Sequence, residues 1–502
     1  MKKPFIHPDF LLDTKSAQRL YHGYAEPLPI IDYHGHLAPR DIAEDRRFEN
    51  MTRIWLAGDH YKWRAMRACG VEETYITGRA SDREKFEMWA RTVPKTLRNP
   101  LFHWTHLELV RAFGLRDLVL NEETSQAVWD KCNALLRTDG FTARGLLSRM
   151  NVELVCTTDD PVDTLEFHRA YAKAAAKAKG EAGIRLRLVP AWRPDRILAV
   201  EDAASFNAYL GKLESAANVE IRSFASLVEA LRVRHLFFHD NGCRLSDHGI
   251  EAPCADDYTS AGVERILEGL RLGRRPAPSQ VASFKSALLY ELALMDFEKG
   301  WVQQFHLGAL RNVNSRMMRD LGPDAGADAI GDWEIARPLA AFLDRLDADG
   351  RLPKTILYNL NPKDNEAVAA LAGCFQDGKT PGKIQVGPAW WFLDQMDGMT
   401  RQLESLSSLG LLGLFVGMTT DSRSLLSFPR HEYFRRLLCR ILGREMEAGL
   451  LPSDTGLIGS LVVDVCYHNA RRYFRLAGEP ESSTSSEAPP AEPDAPVKKA
   501  KP

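Results

Sequence analysis

The sequence predicts an α/β protein whose strands close into a (β/α)8 TIM barrel, and three observations carry that expectation. Eight short apolar runs recur along the 502 residues with helix-like stretches between them. Each run is followed by polar or unusual residues, as in a parallel barrel whose strand ends bear the chemistry. No G-x-G-x-x-G follows an early run, which counts against a dinucleotide-binding sheet, although periodicity alone does not separate a barrel from an open doubly wound sheet.

The runs lie at 28–34 (LPIIDYH), 152–157 (VELVCT), 185–191 (RLRLVPA), 235–239 (HLFFH), 301–306 (WVQQFH), 354–360 (KTILYNL), 384–388 (IQVGP) and 414–420 (LFVGMTT). Roughly 115 residues separate the first from the second, where one barrel unit needs about 30–40. Residues 40–150 therefore read as a helical insertion after the first strand. Its helices are expected at 82–93, 105–114 and 121–137, the last opening on Asn121 as a cap. A second insertion is expected at 240–285. Residues 1–479 form one barrel unit in this reading. The polar, Pro- and Ser-rich residues 480–502 cannot bury a core and are expected to be a disordered tail.

A formal net charge of −2, with 26% charged and 45% hydrophobic residues, argues against nucleic acid or an anionic membrane as the main partner. The eight Cys form no C-x-x-C pair and read as reduced, structural thiols. No secretory signal or membrane-length apolar run is evident, so the expectation is a cytoplasmic protein handling a small molecule, with a homo-oligomer left open.

His34-Gly35-His36 ends the first run. Residues two apart on a strand share a face, so both imidazoles can grip one divalent metal. With fourteen His in the chain, about 0.4 such pairs arise by chance, and the alternative is a capping His beside a buried one. A carboxylate must come from elsewhere, and Asp421, just beyond the last run, is the candidate. The ends of a barrel's last and first strands are neighbours. Arg423 offers a planar fork beside it to a carboxylate or polyol. A helix-capping Asp with a surface Arg is the plainer alternative.

Asp59 reads as the cap of a helix that starts at His60-Tyr61, in the first insertion. Arg193 precedes Pro194, which favours an extended Arg at the barrel rim suited to an anionic ligand. Asp247 and His248 sit beside Gly249 in what reads as a polar loop and tight turn. His306 ends its run, and Trp390-Trp391 suit either the core or a sugar's C–H face.

These segments, taken together, resemble the uronate isomerases of the amidohydrolase superfamily. The resemblance runs from Lys3-Pro4-Phe5 to Phe474. It rests on the 28–39 text, W-L-A-G-D-H-Y-K-W-R, S-D-H-G, H-L-G-A-L-R-N, L-N-P-x-D-N, V-G-P-A-W-W-F and T-D-S-R-S. It implies a distorted (β/α)8 barrel that interconverts D-glucuronate with D-fructuronate, and D-galacturonate with D-tagaturonate. It further implies His34, His36 and Asp421 as ligands of a divalent metal. Zinc is expected from the mixed imidazole and carboxylate donors. Asp421, Arg423, His60 and Tyr61 are the implied catalytic groups, and Arg193, Asp247, His306 and Trp391 the implied substrate contacts. Family members usually carry Cys where this chain has Gly35. Two other readings are a metal-dependent hydrolase or deaminase, with His239 as a fourth ligand, and a silent sugar-acid binding protein. Against the deaminase, Arg193 stands where binuclear relatives place a bridging Lys.

Overall fold

The computed structural model describes residues 4–177 and 185–475. Nine short strands are formed among them: β1 Ile30–Asp32, β2 Val152–Cys156, β3 Arg187–Val189, β4 Leu245–Ile250, β5 Val302–Leu307, β6 Ala309–Leu310, β7 Ala329–Ile330, β8 Lys354–Asn359 and β9 Ile384–Val386. They make two parallel sheets, ordered β1-β2-β3 and β4-β5-β8-β9, while β6 and β7 form a small antiparallel pair. Every residue of β5 is buried, as expected where a parallel sheet is covered on both faces.

Two irregular joints connect the sheets into a ring. On one side Trp192 bridges to both Asp159 and Ser246. Its N–H donates to the Leu245 carbonyl at 3.2 Å, and its carbonyl accepts from Asp247 N at 2.8 Å. On the other side, residues 415–421 run beside β1 without forming a ladder. Tyr33 Oη donates to the Gly417 carbonyl at 2.9 Å. Asp421 N bonds the His34 carbonyl at 3.2 Å, and His36 N bonds the Ser422 carbonyl at 2.9 Å. The last run, 414–420, is therefore not a ladder strand: Leu414 ends the 3-10 helix Leu412–Leu414, and 415–420 follow without regular pairing. Gln385 Nε2 donates to the Leu414 carbonyl at 3.1 Å and links β9 to the start of this run. The spatial order is that of a (β/α)8 barrel, distorted at these joints.

One strand expectation fails. Residues 235–239 belong to a helix, Phe224–Asp240. Leu227, Leu231, Arg234, His235 and Phe238 are buried along its inner stripe while Leu236 is 44% exposed, a helical period that a five-residue apolar run does not reveal. The fourth barrel position is filled instead by β4, inside the stretch read as a second insertion. Ser246, Asp247 and His248 on it are all buried, so they are strand residues, not a loop. Gly249 makes no turn either. A Cβ there would lie 2.2 Å from an Arg193 terminal nitrogen, so glycine is needed for the guanidinium to pass.

The first insertion is helical as expected. Helix Asp82–Thr92 opens with a Ser81–Glu84 capping box, and helix Pro100–Phe113 ends at Gly114 with φ +72°. The third helix starts later, at Ser125. Asn121 is not its cap; its side chain accepts from Thr124 N in the preceding turn. At the opposite end of the barrel, Phe474 stacks on Tyr33 with ring centroids 4.6 Å apart, and the 480–502 tail lies outside the described residues. All eight cysteines are unpaired, and among the described residues no helix is long and apolar enough to cross a membrane.

Candidate active site

The hydrogen-bonded part of β1 stops at Asp32, so the H-x-H motif lies just beyond the strand. It is fixed there by side chains. Asp32 accepts from Thr419 Oγ1 (2.9 Å), Thr420 N (2.7 Å), Thr420 Oγ1 (2.6 Å) and lies 3.2 Å from His431 Nε2. This buried carboxylate ties the first extended segment of the barrel to the last. The result is convergence: His34 Nε2 and His36 Nε2 lie 3.0 and 2.9 Å from the same oxygen, Asp421 Oδ1. Trp390 Nε1 donates to the other oxygen at 2.5 Å. Asp421 holds φ +45°, a left-handed conformation costly for a non-glycine residue and typical of functional positions.

Burial opposes ionisation of Asp421, but the two imidazoles outweigh it and hold the carboxyl well below its ordinary range. Burial lowers the His36 pKa. His34 is raised: burial disfavours its charge, but Asp247 and then Asp421 overcome this. Two imidazole nitrogens and one carboxylate oxygen gathered in this way fit a divalent metal, and the three ligand atoms lie within 4.8 Å of one another.

Beneath this trio lies Asp247, fully buried. Its Oδ1 is 2.6 Å from His306 Nδ1, and its Oδ2 is 3.8 Å from His34 Nδ1 and 2.9 Å from an Arg193 terminal nitrogen. Arg193, His306 and His34 together hold its carboxyl far below the usual value despite its burial. Asp247 thus stands behind the cavity wall rather than on it. Arg193 differs from expectation too. Its Nε donates to Asp195 at 2.8 Å, one terminal nitrogen faces Asp247, and the other packs on Gly249, so its fork is engaged rather than free at the rim.

The insertion closes the top. Asp59 caps the helix His60–Ala68 by accepting from Lys62 N at 3.0 Å, as the sequence implies. The cap sets His60 and Tyr61 on the wall of a cavity of about 430 Å³. His60 stacks on Tyr61 at 5.0 Å and meets Trp391 edge-on at 5.6 Å. Burial lowers the His60 pKa and raises that of Tyr61 far above a normal phenol. The cavity wall also includes His34, His36, His306, Asp421, Arg193, Arg423 and Trp391, so every sequence-predicted site residue except Asp247 reaches it.

Five arginines line the cavity, of which the sequence reading named two. Arg196 faces Asp160 at 3.5 Å, Arg311 faces Asp328 at 3.2 Å, and Arg430 faces Asp394 at 3.1 Å. Arg423 bonds Asp324 at 3.1 Å. Arg311 lay in the H-L-G-A-L-R-N segment, which signalled it. Arg430 and Asp324 had no local signal, because their approach depends on long-range packing.

The glucuronate isomerase family model matches residues 1–474. The chain belongs to the glucuronate isomerase family. It is 54% identical over 470 residues to a uronate isomerase of Cellvibrio japonicus, covering 94% of this chain and 98% of that protein. Its structure is similar to that of a uronate isomerase from Thermotoga maritima, with a TM-score of 0.86 and 34% identity over 94% of this chain and 99% of the other. A glucuronate isomerase from Caulobacter crescentus superposes with the same TM-score, 0.86, at 28% identity over 95% and 99% of the two chains.

Family membership leaves the hydrolase alternative without its fourth ligand. His239 lies on the outer helix Phe224–Asp240, where its Nδ1 accepts from Trp301 Nε1 at 2.9 Å, away from the cavity. The group that does approach His34 from the barrel interior is His306, with ring centroids 4.5 Å apart.

Proposed function

We propose that this chain is a uronate isomerase that interconverts D-glucuronate with D-fructuronate, and D-galacturonate with D-tagaturonate. The observation that carries the reading is the meeting of His34, His36 and Asp421 with His60, Tyr61 and Arg423 around one cavity, on a chain of this family. The reaction breaks the C2–H bond of the aldose and forms a C1–H bond, passing through an enediol while a hydroxyl proton moves from O2 to O1. It needs a base, a proton donor, cationic partners for the developing enediolate, and exclusion of water.

The residues divide among these tasks. His60 is kept neutral by burial and can accept a proton. Tyr61 stays a phenol and can donate one. Asp421 stays ionised, suiting it to hold a metal and to accept a proton from a bound hydroxyl. The cavity arginines draw in an anionic sugar acid, with Arg423 on the wall and Arg193 adding charge from below. His306 and Trp391 shape the wall against the sugar. His34, His36 and Asp421 would hold the divalent metal, which we assign as zinc; it would polarise substrate oxygens and lower their pKa. We read the enzyme as cytoplasmic, acting on small uronates with no nucleic-acid or membrane partner. The test is ketose formation from D-glucuronate and D-galacturonate by purified protein, beside an ammonia-release assay on nitrogen-bearing deaminase substrates. Ketose without ammonia supports the reading, and absence of ketose in metal-loaded enzyme would remove it.

A further inference from the structure

The helix His60–Ala68 carries two arginines, Arg64 and Arg67, that the chemistry above does not use. Arg64 donates to the Asp328 carbonyl at 2.6 Å, and Arg67 to the Ala325 carbonyl. Both bind the loop between β6 and β7 by its backbone. Gly326, at φ +89°, seats that loop so closely that a Cβ would lie 3.2 Å from the His60 carbonyl and 3.1 Å from Arg64 Cγ. The helix bearing His60 and Tyr61 and the loop bearing Asp324 are therefore one bolted surface. That surface presents the Asp324 carboxylate to Arg423 at 3.1 Å. Among the described aspartates that form ion pairs with the cavity's arginines, Asp324 alone stands on the cavity wall itself.

We propose that Asp324 tunes the binding of the substrate's anionic end: it holds the Arg423 guanidinium until a substrate carboxylate displaces it. The inference rests on the uronate isomerase reading and names how that site treats the anionic end of its substrate. Arg193 has its donors engaged by Asp195, Asp247 and the packing on Gly249. Arg423, about 39% exposed, is paired on the wall with a carboxylate that can itself turn to solvent, Asp324 being 54% exposed. A carboxylate replaces a carboxylate at a guanidinium with one charge-assisted pair exchanged for another. A neutral hydroxyl offers a weaker bond and leaves the resident pair in place.

The experiment compares wild type with Asp324→Asn and Asp324→Glu, all metal-loaded. Removing a half-exposed competing ion pair should lower KM for D-glucuronate about two- to fivefold, with kcat moving less. Calorimetric titration with D-gluconate, an anionic analogue that cannot isomerise, should show the same tightening in Asp324→Asn. Affinity for the neutral D-glucitol should not move, and Asp324→Glu should restore wild-type values. A KM and D-gluconate affinity that stay unchanged or weaken in Asp324→Asn would overturn the proposal, as would equal tightening for D-glucitol. Lack of isomerisation by wild type would instead count against the functional reading, while the calorimetric arm still tests Asp324.

Discussion

Asp247 Oδ1 lies 2.6 Å from His306 Nδ1, and this contact fixes which nitrogen of that imidazole carries the proton. An ionised carboxylate only accepts, so Nδ1–H donates to it, and Asp247 is held ionised by Arg193, His306 and His34 against its burial. His306 itself is kept neutral by burial, although Asp247 opposes this. Its Nε2 is then a buried acceptor with no hydrogen-bond partner among the described residues.

Asp247→Asn should therefore disturb the site from behind. The amide keeps the shape but loses the charge that orders His306 and His34 and balances Arg193. We expect kcat to fall about 10–100-fold, the usual range for a partner that orients site groups. Melting temperature should drop as well, because the Arg193 charge loses a buried partner. The check is kcat measured on the folded fraction, with its pH profile: unchanged turnover and profile would show that Asp247 does not set the tautomer.

Gly35→Ala tests the position between the two histidines, where the family resemblance implies Cys. An added Cβ would meet Asp32 Oδ2 at 3.4 Å, Thr420 Oγ1 at 3.5 Å and the Ser422 carbonyl at 3.7 Å, which is ordinary contact. The backbone there is not left-handed, so alanine mainly restricts the unfolded chain. We expect stabilisation of about 0.4–1 kcal/mol, read from the denaturant midpoint, with activity retained. Destabilisation would mean that the turn between the two histidines depends on the missing side chain.

Much of this site was legible because its residues sit in short, dense segments. His34 and His36, the Asp421–Arg423 pair and the His60–Tyr61 pair each announce themselves locally, and barrel closure predicts that the first two meet. The barrel's fourth strand was not legible for a physical reason. β4 buries Ser246, Asp247 and His248 toward polar partners such as Asp296 and His306, so it shows neither the apolar run nor the alternation by which strands are recognised. The nearby His-Leu-Phe-Phe-His run displaced it because a buried helix stripe and a buried strand look alike over five residues. The same distance effect hid Asp324, Asp394 and Arg430, whose roles arise only when the insertion and the β6–β7 loop fold over the barrel.

Asp159 gives a pH-dependent stability. Thr157 Oγ1 donates to Asp159 Oδ2 at 2.7 Å and lies 2.7 Å from His168 Nε2, all three groups being buried. Burial, partly offset by the Thr157 bond, pushes the Asp159 pKa up to about 7, and burial pushes His168 down to about 4. An unfolded Asp ionises near 3.9, so between pH about 4 and 7 the native chain keeps a proton that the unfolded chain releases. The native state is then progressively penalised as pH rises through that window. Asp159→Asn removes the ionisation while keeping an acceptor for Thr157. Its stability relative to wild type should improve by about 2–3 kcal/mol between pH 5 and pH 8, at about 1.4 kcal/mol per unit. Denaturant melts of both proteins at the two pH values are the check; a pH-independent difference would show that Asp159 is ionised in the fold.

The strongest prediction concerns Asp421 and Arg423. Asp421 accepts from both imidazoles of the H-x-H motif and from Trp390, and its side chain remains open to the cavity. Asp421→Asn keeps the volume but removes charge, ligand strength and basicity together. Loss of a general base alone typically costs 10²–10⁴-fold, so turnover should fall by about 10³-fold or more. Metal content, read by elemental analysis, should fall with it, from one divalent ion per chain toward none, as it should in a His34→Ala, His36→Ala double variant. Arg423→Lys keeps the charge but replaces a planar fork by a point donor, so it cannot pair bidentately with the substrate carboxylate that takes the place of Asp324. It should be severely impaired while retaining its metal. The two variants thus separate by metal content as well as by rate. Near-wild-type turnover in Asp421→Asn would take Asp421 out of the mechanism, and stoichiometric metal in the double histidine variant would move the metal site elsewhere.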